Sequence, residues 1–446
     1  PRPLLIAEAA NPEWVSVPLI GWSLARAIQA RTGAHIVTQI RNRDAFLRAG
    51  LAEGVDFTAI DSERVARTGR RIGRLLGGRD GRGWTALMAS AVPAYLYFER
   101  LVWRAFADRL RSGEFSLVHR ITPLSPTLPS PIAAKCARLG VPFIIGPLNG
   151  GVPWPRAFDG ERRREREWLS YVRGAYKLLP HYRGTRRHAS AILCGSRHTL
   201  GEMPEWCRRR CVYMPENGID PARFTTRRTK EARLPLRCIF LGRLVPYKGC
   251  DMLLEAAAPF ARAGALTIQV IGDGPERPRL HALAEQLGIA AAVEFLGQIP
   301  HESVQHHLAA GDLLTFPSIR EFGGGAVLEA LAVGLPVMAV AYGGPAELMS
   351  PHTCFPIEIG SRERIVGLLR RTLETVVADP SLIDARSRAA AARVDELFAW
   401  PAKAAQVLRV YEAVLARGRE LPRFSFADGG EGSEREQQTA AVTAVC

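Results

Sequence analysis

Short apolar runs alternate with amphipathic helical stretches through most of this chain, and that alternation points to a parallel α/β architecture. At 446 residues the chain exceeds what one ordinary core supports, so two such domains are expected. The pattern breaks once. Pro215-Glu216-Asn217-Gly218-Ile219-Asp220 carries strong turn chemistry, and the basic stretch 223–233 behind it has no apolar period and reads as a linker. The expected fold is therefore α/β, with two doubly wound, Rossmann-like domains.

In the first domain, 1–214, strands are expected at 4–7, 34–39, 57–60, 117–121, 142–145, 191–193 and 212–214, with helices such as 17–29 and 131–138 between them. The stretch 62–112 fits least well. It is basic, then aromatic (Tyr95, Tyr97, Phe98, Trp103, Phe106), and reads as an insertion or a membrane-facing pair of helices. In the second domain, 215–393, strands 237–241, 266–271, 292–296, 313–316 and 336–340 alternate with helices 251–263, 276–287, 301–309, 326–333 and 345–349. Helices are also expected at 365–376 and 402–415. The polar, glycine-rich end, 418–446, reads as a disordered tail.

A hydrophobic fraction of 47% with 23% charged residues describes a soluble globular chain, and no uninterrupted apolar run is long enough for a spanning helix. The N-terminal Pro-Arg-Pro-Leu-Leu-Ile-Ala-Glu lacks a signal peptide's apolar core and reads as a first strand. Eight scattered cysteines, several inside apolar runs, suit reduced buried thiols in a cytosolic protein. Cys207 and Cys211 have no second Cys/His pair near them, so no metal site is expected.

The net charge of +15 calls for an anionic partner: nucleic acid, an anionic membrane surface or a phosphorylated substrate. Arginines crowd two stretches, from Arg64 to Arg82 and from Arg162 through Arg173, Lys177 and Arg183 to Arg187, interleaved with Trp84, Trp168, Tyr171, Tyr176 and Leu178. These are either faces that rest on anionic lipid head groups or simply solvated basic faces. No nucleic-acid-binding motif is present, so that partner is not expected.

Chemistry concentrates in three loops that follow strands of the second domain, where open α/β sheets bind ligands. Glu321-Phe322-Gly323-Gly324-Gly325-Ala326-Val327-Leu328-Glu329 places three glycines between two glutamates at a helix start. Backbone N–H groups and the positive helix end there suit an anion, while the carboxylates suit hydroxyls. A phosphate beside hydroxyls describes a sugar nucleotide. Eight residues apart, Glu321 falls in the loop and Glu329 about one turn inside the helix. Serving only as helix-dipole partners is the alternative for both. Arg243 and Lys248, in Gly242-Arg243-Leu244-Val245-Pro246-Tyr247-Lys248-Gly249, can turn two cations toward a departing diphosphate, or are plain surface charges. Gly272-Asp273-Gly274-Pro275 is the third loop, and by itself it equally reads as strand punctuation.

Together with Phe295-Leu296-Gly297, Gly334-Leu335-Pro336-Val337, Gly343-Gly344-Pro345-Ala346-Glu347 and Phe398-Ala399-Trp400, these motifs resemble glycosyltransferase family 4, the retaining nucleotide-sugar transferases of GT-B fold. The resemblance covers about 215–417 well and 1–214 only in outline. It implies two Rossmann-like domains facing a cleft, with a helix at 394–417 returning to the first domain. It also implies a UDP- or GDP-sugar donor and no required metal or other cofactor. Arg243 and Lys248 would hold the diphosphate, beside Gly242 and Gly323 to Gly325. Glu329 would bind the ribose, Glu321 the donor sugar hydroxyls, and Ile299 would lie where the base is cradled, with Gly272 and Asp273 on the donor side.

The first half departs from that family. Asn11-Pro12-Glu13-Trp14-Val15-Ser16-Val17-Pro18 stands where a Gly-Gly loop is usual, and Gly21 comes late. His119 occupies a cleft-histidine position, but Ile121 replaces a second histidine, so a structural role is equally expected. Phe322 directly follows Glu321, where one more residue is common. In the loop 146–155, Gly150 and Gly151 allow close approach of a ligand and Trp154 is placed to stack on a sugar or lipid-linked acceptor; a plain proline-rich loop is the alternative. The implied activity is sugar transfer to a lipid-linked or polysaccharide acceptor in bacterial exopolysaccharide or glycolipid synthesis, peripheral on the cytoplasmic membrane face. A GT-B epimerase or phosphorylase and a catalytically silent sugar-nucleotide-binding relative are the other readings.

Overall fold

The computed structural model describes residues 1–63, 84–160, 175–418 and 420–426. Seven parallel strands, β1 (Pro3–Ala7), β2 (His35–Gln39), β3 (Phe57–Ile60), β4 (Leu117–Thr122), β5 (Phe143–Leu148), β6 (Ala191–Cys194) and β7 (Cys211–Tyr213), form a sheet in the order β3-β2-β1-β4-β5-β6-β7. Six more, β8 (Leu236–Leu241), β9 (Leu266–Ile271), β10 (Val293–Gly297), β11 (Leu313–Phe316), β12 (Val337–Val340) and β13 (Cys354–Ile357), form a second parallel sheet in the order β10-β9-β8-β11-β12-β13. Both sheets are sandwiched by helices, which is why most strands are buried along their whole length and read as continuous apolar runs. In the second sheet the strand order reverses between β8 and β11, so the loops leaving those two strands flank a crevice.

Five features differ from the sequence reading. β13 carries Pro356, which argues against a strand, yet β13 is the sheet edge and Pro356 is its one exposed residue. The helix Ser381–Leu397 buries only Ile383, Ala390 and Val394, too sparse an apolar stripe to announce itself. Within 62–112, residues 64–83 lie outside the described residues, and the described helix, Trp84–Arg111, turns aromatics into the core rather than toward a membrane. Its Tyr95, Phe98, Val102 and Phe106 lie in the core, spaced at helical intervals. The stretch 223–233 is no free linker either: Phe224 is buried, and buried Arg228 pairs with Asp312 at 3.2 Å and Asp384 at 3.1 Å. The expected disordered tail, 418–446, does not run free from its start: Phe426 is buried and its carbonyl accepts from Arg393. The arginines of 64–82 and 162–173 and the residues from 427 lie outside the described residues.

The chain crosses back at its far end. Ile219 N donates to Phe398 O and Trp400 N to Ile219 O, both at 2.9 Å, which lays the interdomain strand beside the return crossing. The helix Trp400–Leu415 then packs on Val17–Gln29 of the first domain. Among the described residues no helix is long and apolar enough to cross a membrane.

Candidate active site between the domains

β11 delivers the chain to Pro317, and the helix Gly325–Ala332 begins after a loop that no side chain caps. Gly324 takes φ +65°, which glycine adopts without cost. Gly323 is needed for a different reason, because a Cβ there would stand 2.3 Å from Asn217 Nδ2 and 2.6 Å from Glu216 Oε1. The interdomain turn therefore presses directly on the glycine tip. Its first-turn N–H groups face outward from an eight-residue helix, the geometry that attracts an anion.

The loop after β8 brings Lys248 to this tip. Its ammonium makes an ion pair with Glu321 and lies 5.1 Å from the Phe316 ring centre. Arg243, on the same loop, is exposed and has no partner among the described residues. Glu329, one turn inside the helix, accepts from His301 Nε2 at 3.0 Å. That contact holds the His301 imidazole above its ordinary range, against the opposing pull of burial. Ile299 is half-buried against the main core. Sequence reasoning missed His301; its position right after Pro300 at a helix start, one loop from β10, was the available signal.

Gly242 and Gly272 are packing residues as much as ligand-side ones. A Cβ on Gly272 would be 2.0 Å from Gly242 O, so the two loops touch backbone to backbone. Asp273 Oδ1 accepts from Gly274 N at 2.7 Å and Oδ2 pairs with Arg277 at 3.3 Å, which commits its carboxylate to its own loop and helix.

The first-domain residues stand differently. His119 is fully buried under the crossover helix: Nε2–H donates to Gly146 O at 2.8 Å, and Nδ1 accepts from the Tyr411 hydroxyl at 2.6 Å. Burial pushes its pKa down to about 4, so it is neutral and closed off from the cleft. Trp154 is 7% exposed, edge-on to Tyr247 at 5.9 Å with the Arg320 guanidinium 4.9 Å from its ring. It joins the second domain's core rather than offering a face to a sugar, because an aromatic ring and a cation there outcompete water. Gly150 N donates to Thr199 Oγ1 and Gly151 N to Asn149 Oδ1, both at 2.9 Å. Gly151, at φ +72°, leaves room for the Phe322 ring, which would stand 2.7 Å from a Cβ. Gly151 thus closes the first domain onto the loop carrying Glu321.

A buried polar network ties the two halves. Glu216 is bonded by Asn149 and pushed up to about 7 by burial, beneath it lies Lys403, pushed down to about 7 by the same cause, and Lys403 Nζ donates to Pro215 O. Glu347 accepts from Arg197 N at 2.7 Å and Tyr213 hydroxyl at 3.1 Å across the domains, and burial raises it to about 7. None of Glu216, Lys403 or Tyr213 stood out in the sequence, since each matters only through a contact distant in the chain.

With this geometry in place, residues 226–381 match the Glycosyl transferases group 1 family. The match lies within the second domain. Among curated proteins, the chain is 32% identical over 181 residues to 2-deoxystreptamine glucosyltransferase of Streptomyces kanamyceticus, covering 40% of this chain and 46% of that one. It is 30% identical over 224 residues to the putative colanic acid biosynthesis glycosyltransferase WcaL of Salmonella typhimurium, covering 49% and 52%. To the lipopolysaccharide core biosynthesis glycosyltransferase LpsE of Rhizobium meliloti it is 35% identical over 238 residues, covering 48% and 66%. The chain spans about half the length of the first curated relatives it matches.

Solved structures extend the likeness to both domains. Sucrose-phosphate synthase from Thermosynechococcus elongatus superposes with TM-score 0.61 at 16% identity, covering 94% of this chain and all of that one. The Anabaena protein HepE, solved in complex with UDP, gives 0.57 at 15% identity, covering 92% and 100%. The fold is GT-B, two Rossmann-like parallel-sheet domains.

Proposed function

We propose that the protein is a retaining glycosyltransferase of family 4 that moves a hexose from a UDP- or GDP-sugar to a lipid-linked or polysaccharide acceptor, at the cytoplasmic face of a bacterial membrane. One observation carries the reading: Lys248 is paired with Glu321 just before the uncapped helix Gly325–Ala332, and Arg243, on the Lys248 loop, is exposed and without a partner among the described residues. In the free protein the ion pair keeps both charges satisfied. A donor diphosphate, with more negative charge than one carboxylate, draws Lys248 away and frees Glu321 to accept sugar hydroxyls. Lys248, Arg243 and the helix tip then meet the charge that develops on the departing phosphate oxygen, which is where preorganised cations lower a barrier most. Glu329, oriented by His301, accepts the ribose hydroxyls. The acceptor attacks from the side the diphosphate leaves, so configuration is retained. WcaL and LpsE, named for colanic acid and lipopolysaccharide core synthesis, support a surface-polysaccharide setting, and HepE with UDP supports a uridine donor.

Incubation with a panel of sugar nucleotides, following release of the free diphosphate, tests the reading. Release from one UDP- or GDP-sugar is expected. Binding without release from every donor would make the protein a silent relative.

A further inference from the structure

The flank of the first domain beside β6 and β7 carries an exposed apolar pair that the catalytic reading does not use. Leu178, at the end of the turn Ala175–Leu178, is 87% exposed, and Trp206, in the helix Glu205–Arg208, is 48% exposed. Both line one open groove of ≈ 670 Å³, together with Lys177 and Arg183. Single exposed apolar residues are ordinary, but two large ones in a groove edged by cations are not. Lys177, Arg183, Arg187 and Arg209 are exposed and have no acid partner among the described residues, and the neighbouring short helices add the carboxylates Glu202 and Glu205. Arg210 lies 6.0 Å from the Trp206 ring centre and donates to the carbonyl of Ala189 at 3.1 Å, while Arg208 donates to Met203 O at 3.3 Å and Gly201 O at 3.2 Å. Those backbone bonds fix the frame that presents Trp206.

We propose that this face, Leu178 and Trp206 among Lys177, Arg183, Arg187 and Arg209, seats the protein on an anionic lipid bilayer. The two components of the patch need both components of such a surface. Free cations are drawn to anionic head groups, while an indole and a leucine side chain gain by entering the boundary between head group and hydrocarbon. A nucleic acid would satisfy the cations and could stack on Trp206, but it has nothing apolar for Leu178. The inference deepens the reading of a membrane-side acceptor and names the surface that brings the first domain to it.

The test uses the full chain and vesicles of phosphatidylcholine, with or without phosphatidylglycerol. Co-sedimentation is expected with the anionic vesicles alone and should weaken as salt rises. Leu178→Glu with Trp206→Ser should lower partitioning roughly tenfold or more. Lys177→Gln with Arg183→Gln should lower it about twenty-five-fold, near fivefold for each cation. Circular dichroism and thermal melting of both double variants should match the parent, and so should diphosphate release from a soluble sugar nucleotide. No vesicle binding, equal binding to neutral vesicles, variants that bind as well as the parent, or tighter binding to duplex DNA than to anionic vesicles would each overturn the proposal. Vesicle binding through this face in a protein that turns over no donor would instead keep the surface and remove the transferase reading.

Discussion

The two domains share one doubly wound plan and use their strand ends in opposite ways. At the second domain's crevice, Arg243 is exposed, Lys248 and Glu321 satisfy each other, and Glu329 is held by His301; these are the contacts that the proposed donor would replace. At the first domain's strand ends the chemistry-bearing residues are already consumed. His119 has both ring nitrogens bonded inside, Trp154 is packed edge-on against Tyr247 of the neighbouring domain, and Gly150 and Gly151 spend their N–H groups on the protein. The difference lies in what covers the strand ends, not in the residue types found there. The crossover helix and the Glu321 loop lie over the first domain, while nothing among the described residues lies over Arg243.

That contrast is broken most forcefully at Lys248. Lys248→Ala is expected to cut turnover roughly a hundredfold or more with the circular dichroism spectrum intact, the size of effect of a lost preorganised charge. Full activity would remove Lys248 from the site. His119 should respond in the opposite currency. His119→Ala, which leaves the Tyr411 hydroxyl buried and unpaired, should cost about 3 kcal/mol in urea unfolding while the folded fraction keeps its turnover number. Lost turnover at unchanged stability would return His119 to catalysis.

The same burial has a pH signature. The unfolded chain protonates His119 near the ordinary 6.5, whereas the folded protein holds it near 4. Its contribution is therefore complete above about pH 6.5 and is lost as pH falls toward 4, about 3 kcal/mol in all. Denaturant titrations across that window, compared with His119→Ala, should show a shallower acid loss in the variant.

A smaller effect is expected at Glu321. Glu321→Ala should lower transfer roughly tenfold while nucleotide affinity, by calorimetry, stays level or improves because Lys248 is released. Equal loss of transfer and nucleotide affinity would place Glu321 on the nucleotide instead. Trp154→Phe is the mildest change, expected to cost about 1 kcal/mol of stability with the acceptor KM unchanged. A raised acceptor KM would put the ring back in the acceptor path.

How much of this the sequence made legible follows from the same physics. Parallel strands buried on both faces leave unbroken apolar runs, so β1 through β12 could be read directly, and glycines beside charges marked the loops after β8 and β11. Pro356 hid β13 and a sparse stripe hid Ser381–Leu397. The Glu216–Lys403 contact and the His301–Glu329 bond were invisible because each joins residues far apart along the chain. His119 could not be assigned either, since its fate depends on Tyr411, 292 residues away.

Crystals grown with UDP and with GDP offer the most direct measurement of all. The diphosphate is expected within hydrogen-bonding distance of Lys248 Nζ and the Arg243 guanidinium at the Gly325 tip, with the Lys248–Glu321 contact opened and the ribose on Glu329. A nucleotide bound elsewhere, with Lys248 still on Glu321, would contradict the donor site and the transfer reaction built on it.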